Sequence, residues 1–129
     1  MIVHVLRFAF KGSTSGQQRS DFKEALSRLA GTKWISFAVV GQDLGDPADG
    51  YSLSYCVGFK DLAALEGFLL REPLHPLADL MILPHVAKLS VVDLADDPDP
   101  TLRDKIGALV QAKIANEPEF VRLMSAIPR

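Results

Sequence analysis

The first strand of this chain sets the terms for everything after it. Ile2-Val3-His4-Val5-Leu6-Arg7-Phe8-Ala9-Phe10 is rich in β-branched and aromatic residues, the composition of a strand. Its two parities are Ile2, His4, Leu6, Phe8 and Phe10 on one side, and Val3, Val5, Arg7 and Ala9 on the other. Both are largely apolar, so the strand needs cover on both faces. A chain of 129 residues is one ordinary domain, and its remaining elements have to supply that cover.

The pattern downstream alternates. Lys11 to Thr14 breaks the strand. Ser15 with Gln18 makes a capping box that opens a helix carrying Phe22, Leu26 and Leu29, and Gly31 ends it. Trp34 to Gln42 reads as a second strand, and the turn formers from Asp43 to Gly50 lead to a third, Tyr51 to Phe59. That strand sets Tyr51, Leu53, Tyr55, Val57 and Phe59 against Ser52, Ser54, Cys56 and Gly58, a small-residue face that a helix or ligand could approach closely. Asp61 caps a second helix bearing Leu62, Leu65, Phe68 and Leu69; Pro73 interrupts it, and Leu74 to Leu83 continues as helix. Val86 to Leu94 is the last strand.

The order is β-α-β-β-α-β, which predicts an α+β, ferredoxin-like subunit. Both crossover helices of that plan cover the same sheet face. The other face, apolar on the first strand, calls for a partner, and the economical one is a second copy of the chain packed sheet to sheet. The acidic, proline-rich run Asp96 to Pro100 then separates a domain over residues 1–97 from a C-terminal helical extension over 98–129. In that extension Thr101 and Asp104 resemble a capping box. Leu102, Ile106, Leu109, Val110 and Ile114 line one face, and Asn116 with Pro118 opens a last helix. This amphipathic tail must dock on its own domain or on the partner.

Composition excludes more than it assigns. Sixteen acidic against fourteen basic residues give a net charge of −2, without the basic footprint of a nucleic-acid binder. A single cysteine, Cys56, excludes an intrachain disulfide framework and a cysteine-rich zinc site; mid-strand among small residues, it reads as a buried, inert thiol. No apolar run approaches the roughly twenty residues of a membrane span, and the first one lacks the layout of a signal peptide, so the expected location is the cytoplasm.

Residues 1 to about 95 resemble the stress-responsive dimeric α/β-barrel (Dabb) family. The matching features come in order. His4 stands at the first-strand histidine position with Phe10-Lys11 closing that strand, and Gly50-Tyr51-Ser52 opens a strand that ends Phe59-Lys60-Asp61-Leu62. Pro73-Leu74-His75 follows where members carry His-Pro-x-His, and Leu83-Pro84 runs through to Val91-Val92-Asp93-Leu94. The resemblance implies a homodimer whose sheets form a barrel. Its functional implication is looser: stress-induced, stable proteins without assigned activity, and one kind that is a polyketide cyclase using a histidine and a tyrosine in an apolar cleft. His75 and His4 match that cyclase's histidines. Glu72 replaces the first histidine of its motif, Phe68 or Leu69 stands where its tyrosine would be, and Leu26 replaces a tyrosine of its first helix.

Three histidines carry the candidate chemistry. His75, between Pro73 and Pro76, has an imidazole suited to general-base work, with Glu72 three residues earlier to orient it; the alternative is a structural histidine satisfying a backbone group. His4, on the Leu6/Phe8/Phe10 face, is either a core or interface histidine or a pocket residue. His85 reads as a turn residue. None pairs at metal-binding spacing, so no metal and no cofactor is expected. The main expectation is a homodimer that binds a small apolar ligand in a cleft between sheet and helices, contacted by Tyr51, Glu72 and Phe68. The alternative is a cofactor-independent enzyme, cyclase-like or monooxygenase-like, acting on a small carbonyl compound with His75 as base and His4 or Tyr51 holding an oxygen. Either requires that His75 and His4 open onto one apolar cleft, of about 300 Å³ if it is to hold a small ligand of ordinary size.

Overall fold

The computed structural model describes residues 1–128. Strands β1 (Ile2–Phe10), β2 (Phe37–Gln42), β3 (Leu53–Phe59) and β4 (Val86–Ala95) form one sheet in the order β2-β3-β1-β4, every neighbouring pair antiparallel. Helix α1 (Gly16–Ala30) makes the first crossover. Helices α2 (Leu62–Leu70) and α3 (Leu74–Ile82) make the second, and α4 (Leu102–Asn116) and α5 (Pro118–Ser125) form the tail. This is the ferredoxin-like α+β plan. Strand two starts later than its composition suggests, because Thr32 to Ser36 turn first; Ile35 N–H donates to the Thr32 carbonyl.

Local chemistry fixes most boundaries. At α1 the Ser15 hydroxyl accepts from Gln18 N–H while the Gln18 side chain accepts from Ser15 N–H, the full capping box. The Asp61 carboxylate caps α2 by accepting from Ala64 N–H at 2.9 Å. In the loop before β3, Gly50 takes φ +80°, a region closed to most side chains. The tail starts differently from its sequence pattern. Thr101 makes no side-chain cap; instead Asp99 Oδ1 accepts from both the backbone and the hydroxyl of Thr101, and Asp99 Oδ2 accepts from Lys105. The flank of α5 is Glu117, with Pro118 in the first helical position and Asn116 still the last residue of α4.

Strand β1 sits between β3 and β4, so its alternation is carried across the sheet. Its even residues, with Leu53, Tyr55, Val57 and Phe59 of β3, face the helices. The largest fully buried side chains are Tyr55, Phe22, Phe59, Phe68, Val57 and Val86, and Phe22 meets both Phe8 and Phe10 edge to face. The tail docks on this same covered side, α4 against α2 and α5 against α3.

The odd residues face away, where this chain places no helix. Here the small-residue face of β3 receives a side chain of the neighbouring strand and not a helix: a Cβ on Gly58 would stand 2.0 Å from the Phe37 ring, which occupies that space. Cys56 lies on this face and is half-buried rather than enclosed. Val39, Val92 and Leu94 are more than half exposed beside it. Within one chain the strand is thus covered on one face, the side of both crossover helices. At one end of the open face, Arg7 pairs in bidentate fashion with Asp43, which also accepts from Ser54, and the Arg7 guanidinium lies 4.2 Å over the Tyr51 ring. Arg7 holds the Asp43 carboxyl far below the usual carboxylate range.

Candidate ligand site

On the covered side, a cleft of about 190 Å³ opens between the sheet and all five helices. Its wall is overwhelmingly apolar, with Leu6, Phe8, Leu26, Phe68, Leu89 and Met124 among the residues that line it. Into it the fold brings His4 from β1, Tyr55 from β3, His75 and Asp79 from α3, and Lys113 from α4.

The position of His4 follows from strand register. β1 pairs with β4 so that His4 stands opposite Asp93, and His4 Nδ1 lies 2.6 Å from Asp93 Oδ1. A carboxylate only accepts, so Nδ1 carries the proton, and in the neutral ring Nε2 keeps its lone pair. His4 is therefore an oriented imidazole with a free basic nitrogen.

His75 lies in the first turn of α3, its ring centroid 4.5 Å from that of Phe68. Burial pushes its pKa down to about 3, with Lys113 and then His4 adding to the effect. The Phe68 backbone opposes this without forming a hydrogen bond of ordinary geometry to the ring, and Nδ1 has no partner. The ring is neutral and only weakly basic at physiological pH. Glu72, expected to orient it, does something else: its carboxylate accepts from Leu74 N–H at 2.7 Å and so opens α3. The carboxylate near the ring is Asp79, one helical turn on, with Oδ1 4.0 Å from His75 Nε2. Burial lifts Asp79 to about 6 against the pull of Lys113.

Tyr55 is buried with a hydroxyl that has no partner, and burial raises its pKa. Tyr51 is not in the cleft: its ring is held by the Arg7 guanidinium and by the Lys88 ammonium, 4.6 Å from its centre. His85 sits in the turn before β4, where its carbonyl accepts from Lys11 N–H. Among the described residues no group of three histidines, cysteines or carboxylates is placed to hold a metal ion.

Lys113 is the least expected member. It is only 2% exposed; Nζ donates to both Glu117 oxygens at 2.9 Å, stands 2.9 Å from Asp79 Oδ2, and lies 4.6 Å over the Phe120 ring. The signal was in the sequence, since Leu102, Ile106, Leu109 and position 113 follow one helical stripe with Glu117 a turn beyond. A lysine in that stripe completes it only when its charge is paired. The tail also lines the cleft, through Val110, Phe120 and Met124, and the cleft is smaller than the 300 Å³ expected.

With this geometry established, comparison with known proteins places the chain. The model of the stress responsive A/B barrel domain (Dabb) matches residues 2–96. The chain belongs to the Dabb family. Among curated proteins no significant match is found. Solved structures of similar fold include three from different sources. A hydroxynitrile lyase from Passiflora edulis shares 20% identity at a TM-score of 0.66 over 75% of this chain and 94% of its own. A dimeric ferredoxin-like protein of unknown function from Thermobifida fusca shares 24% at 0.64, over 73% and 89%. An Arabidopsis thaliana protein shares 19% at 0.64, over 75% and 96%. At these identities the likeness is one of fold. Helices α4 and α5 lie outside the family match. No helix among the described residues is long and apolar enough to cross a membrane.

The two buried titrations oppose each other. His75 has a lowered folded pKa, so the unfolded chain binds more protons between about 3 and 6.5, and stability falls as pH drops through that window. Asp79 has a raised folded pKa, so the folded chain binds more protons between 3.8 and about 6, and stability rises as pH drops there. Asp79→Asn should therefore steepen the loss of stability in acid, and His75→Phe should abolish it or reverse its sign. Urea denaturation between pH 4 and 7 measures both; the same slope in all three proteins contradicts this reading.

Proposed function

We propose that this Dabb protein is a homodimer that binds one small, largely apolar molecule in the cleft between sheet and helices. The observation that carries the reading is the pairing of an apolar wall with buried polar atoms that lack hydrogen-bond partners: the Tyr55 hydroxyl, His75 Nδ1 and Asp79 Oδ2, of which only the last has a counter-charge, the Lys113 ammonium at 2.9 Å. Buried polar groups are normally satisfied, and leaving one unpaired costs about 1–3 kcal/mol. A ligand oxygen supplies what is missing. In this reading Phe68 and His75 contact the ligand, Tyr55 takes the part expected of Tyr51, and Glu72 has a structural part.

Acetophenone, a ring with one carbonyl, is a suitable probe. Tyr55→Phe should raise the stability of the ligand-free protein by about 1 kcal/mol, because an unsatisfied hydroxyl is removed. The same change should weaken acetophenone binding about tenfold. Calorimetry and urea denaturation read the two effects. A destabilised variant with unchanged binding would make the hydroxyl a structural group.

The dimer rests on the uncovered face, with Val39, Val92 and Leu94 exposed, and on the dimeric state of the similar protein from Thermobifida fusca. Sheet-to-sheet packing of two copies closes that face. Sedimentation at micromolar concentration should give twice the chain mass, and Val92→Asp should halve it. An unaltered mass in that variant argues for a different interface.

A second reading, catalysis without a cofactor on a carbonyl compound, is favoured by the His4–Asp93 pair. The weak basicity of His75 moves the base to His4. Nε2 would take a proton from the carbon next to the carbonyl, while the Tyr55 hydroxyl donates to the developing enolate oxygen; return of the proton restores the ketone. In D₂O this exchanges the methyl protons of acetophenone, a change visible by NMR. His4→Gln should remove the protein-dependent rate, and Asp93→Asn should slow it about tenfold or more. Exchange no faster than in buffer leaves the binding role alone.

A further inference from the structure

The tail is where this chain departs from its family segment, and three of its side chains, Val110, Phe120 and Met124, form one wall of the cleft beside the buried ammonium of Lys113. That ammonium is fully engaged by the two carboxylates of Asp79 and Glu117 and by the face of Phe120. It has nothing to offer an anion, and an anionic ligand would meet two carboxylates balanced by a single lysine. A cation would lose its hydration against an apolar wall whose carboxylates are already paired. The cleft groups without a hydrogen-bond partner are the Tyr55 hydroxyl, His75 Nδ1 and Asp79 Oδ2; the last is held 2.9 Å from the Lys113 ammonium, and the first two suit a neutral oxygen. Size is set by the same wall. An apolar cavity of about 150 Å³ holds benzene, and 190 Å³ takes one ring with a short substituent.

We infer that helices α4 and α5 are the specificity wall of this site. Phe120 and Met124 limit the ligand to a single ring or its aliphatic equivalent, and the Lys113–Asp79–Glu117 cluster restricts it to a neutral carbonyl or hydroxyl compound. The inference rests on the reading of the cleft as a ligand site given above.

Three probes of graded size and charge test it by calorimetry at pH 7.5: acetophenone, 2-acetylnaphthalene and benzoate. The full-length protein should bind acetophenone, bind 2-acetylnaphthalene at least tenfold more weakly, and show no heat with benzoate. Phe120→Ala and Met124→Ala should each bring 2-acetylnaphthalene to within about threefold of acetophenone. Leu123→Ala, a truncation on the same helix at a buried residue that does not line the cleft, should leave the ratio as it was. That control separates a specific wall from general loosening of the tail. Equal binding of the one-ring and two-ring ketones by the unaltered protein overturns the inference while leaving the ligand site standing. So does benzoate binding as tightly as acetophenone, or a ratio that Leu123→Ala shifts as much as Phe120→Ala does. If no probe binds any of the proteins at millimolar concentration, the ligand reading itself fails and takes the wall with it.

Discussion

The register of β1 against its two neighbours is the constraint on which the remaining structure depends. One strand, central in the sheet, sends Ile2, His4, Leu6, Phe8 and Phe10 toward the helices and Val3, Val5, Arg7 and Ala9 to the open face. A slip of one residue would exchange the two sets, placing Arg7 in the core and His4 outside. The observed pairing sets His4 level with Val57 on one side and Asp93 on the other. It thereby fixes both the apolar floor of the cleft and the hydrogen bond that orients the His4 imidazole. The same alternation creates the uncovered apolar face, so the site and the proposed dimer interface are two sides of one strand.

The second organising contact is Lys113. Removing an ammonium from water costs several kcal/mol, and here two carboxylates and an aromatic face offset it. Such a cluster is weak evidence for added stability but strong evidence for a defined position, because separating the partners strands a buried charge. It ties α4 to α3 through Asp79 and sets Glu117 at the junction with α5. The tail is held by chemistry as well as by the burial of Leu102, Leu123 and Ile127.

How much of this could be read beforehand depended on whether the determinant was local. The capping box at Ser15, the Asp61 cap, the break at Pro73 and the strand alternation all lie within a few residues of what they control, and the element order followed from them. The family resemblance over residues 1 to about 95 agrees with the family match over 2–96. Partners set by tertiary packing were not legible. Glu72 stands three residues before His75 in sequence but is spent on a backbone N–H, whereas Asp79, on the same helix face, is the carboxylate that approaches the ring. Tyr51 and Tyr55 share a strand parity, yet the strand proper begins at Leu53, which leaves Tyr51 free to stack on Arg7. Asp93 could be placed in the last strand, but its pairing with His4 depends on a register that no single stretch of sequence contains.

What the cleft holds decides between a ligand site and a packing gap. A crystal structure of the protein soaked in acetophenone tests the ligand site most directly. The ring should lie against Phe68, Leu26 and Phe120, with the ketone oxygen within hydrogen-bond distance of the Tyr55 hydroxyl or a histidine nitrogen and the Lys113–Asp79 pair intact. A cleft that contains only ordered water, with acetophenone absent or bound on the open face of the sheet, would contradict it.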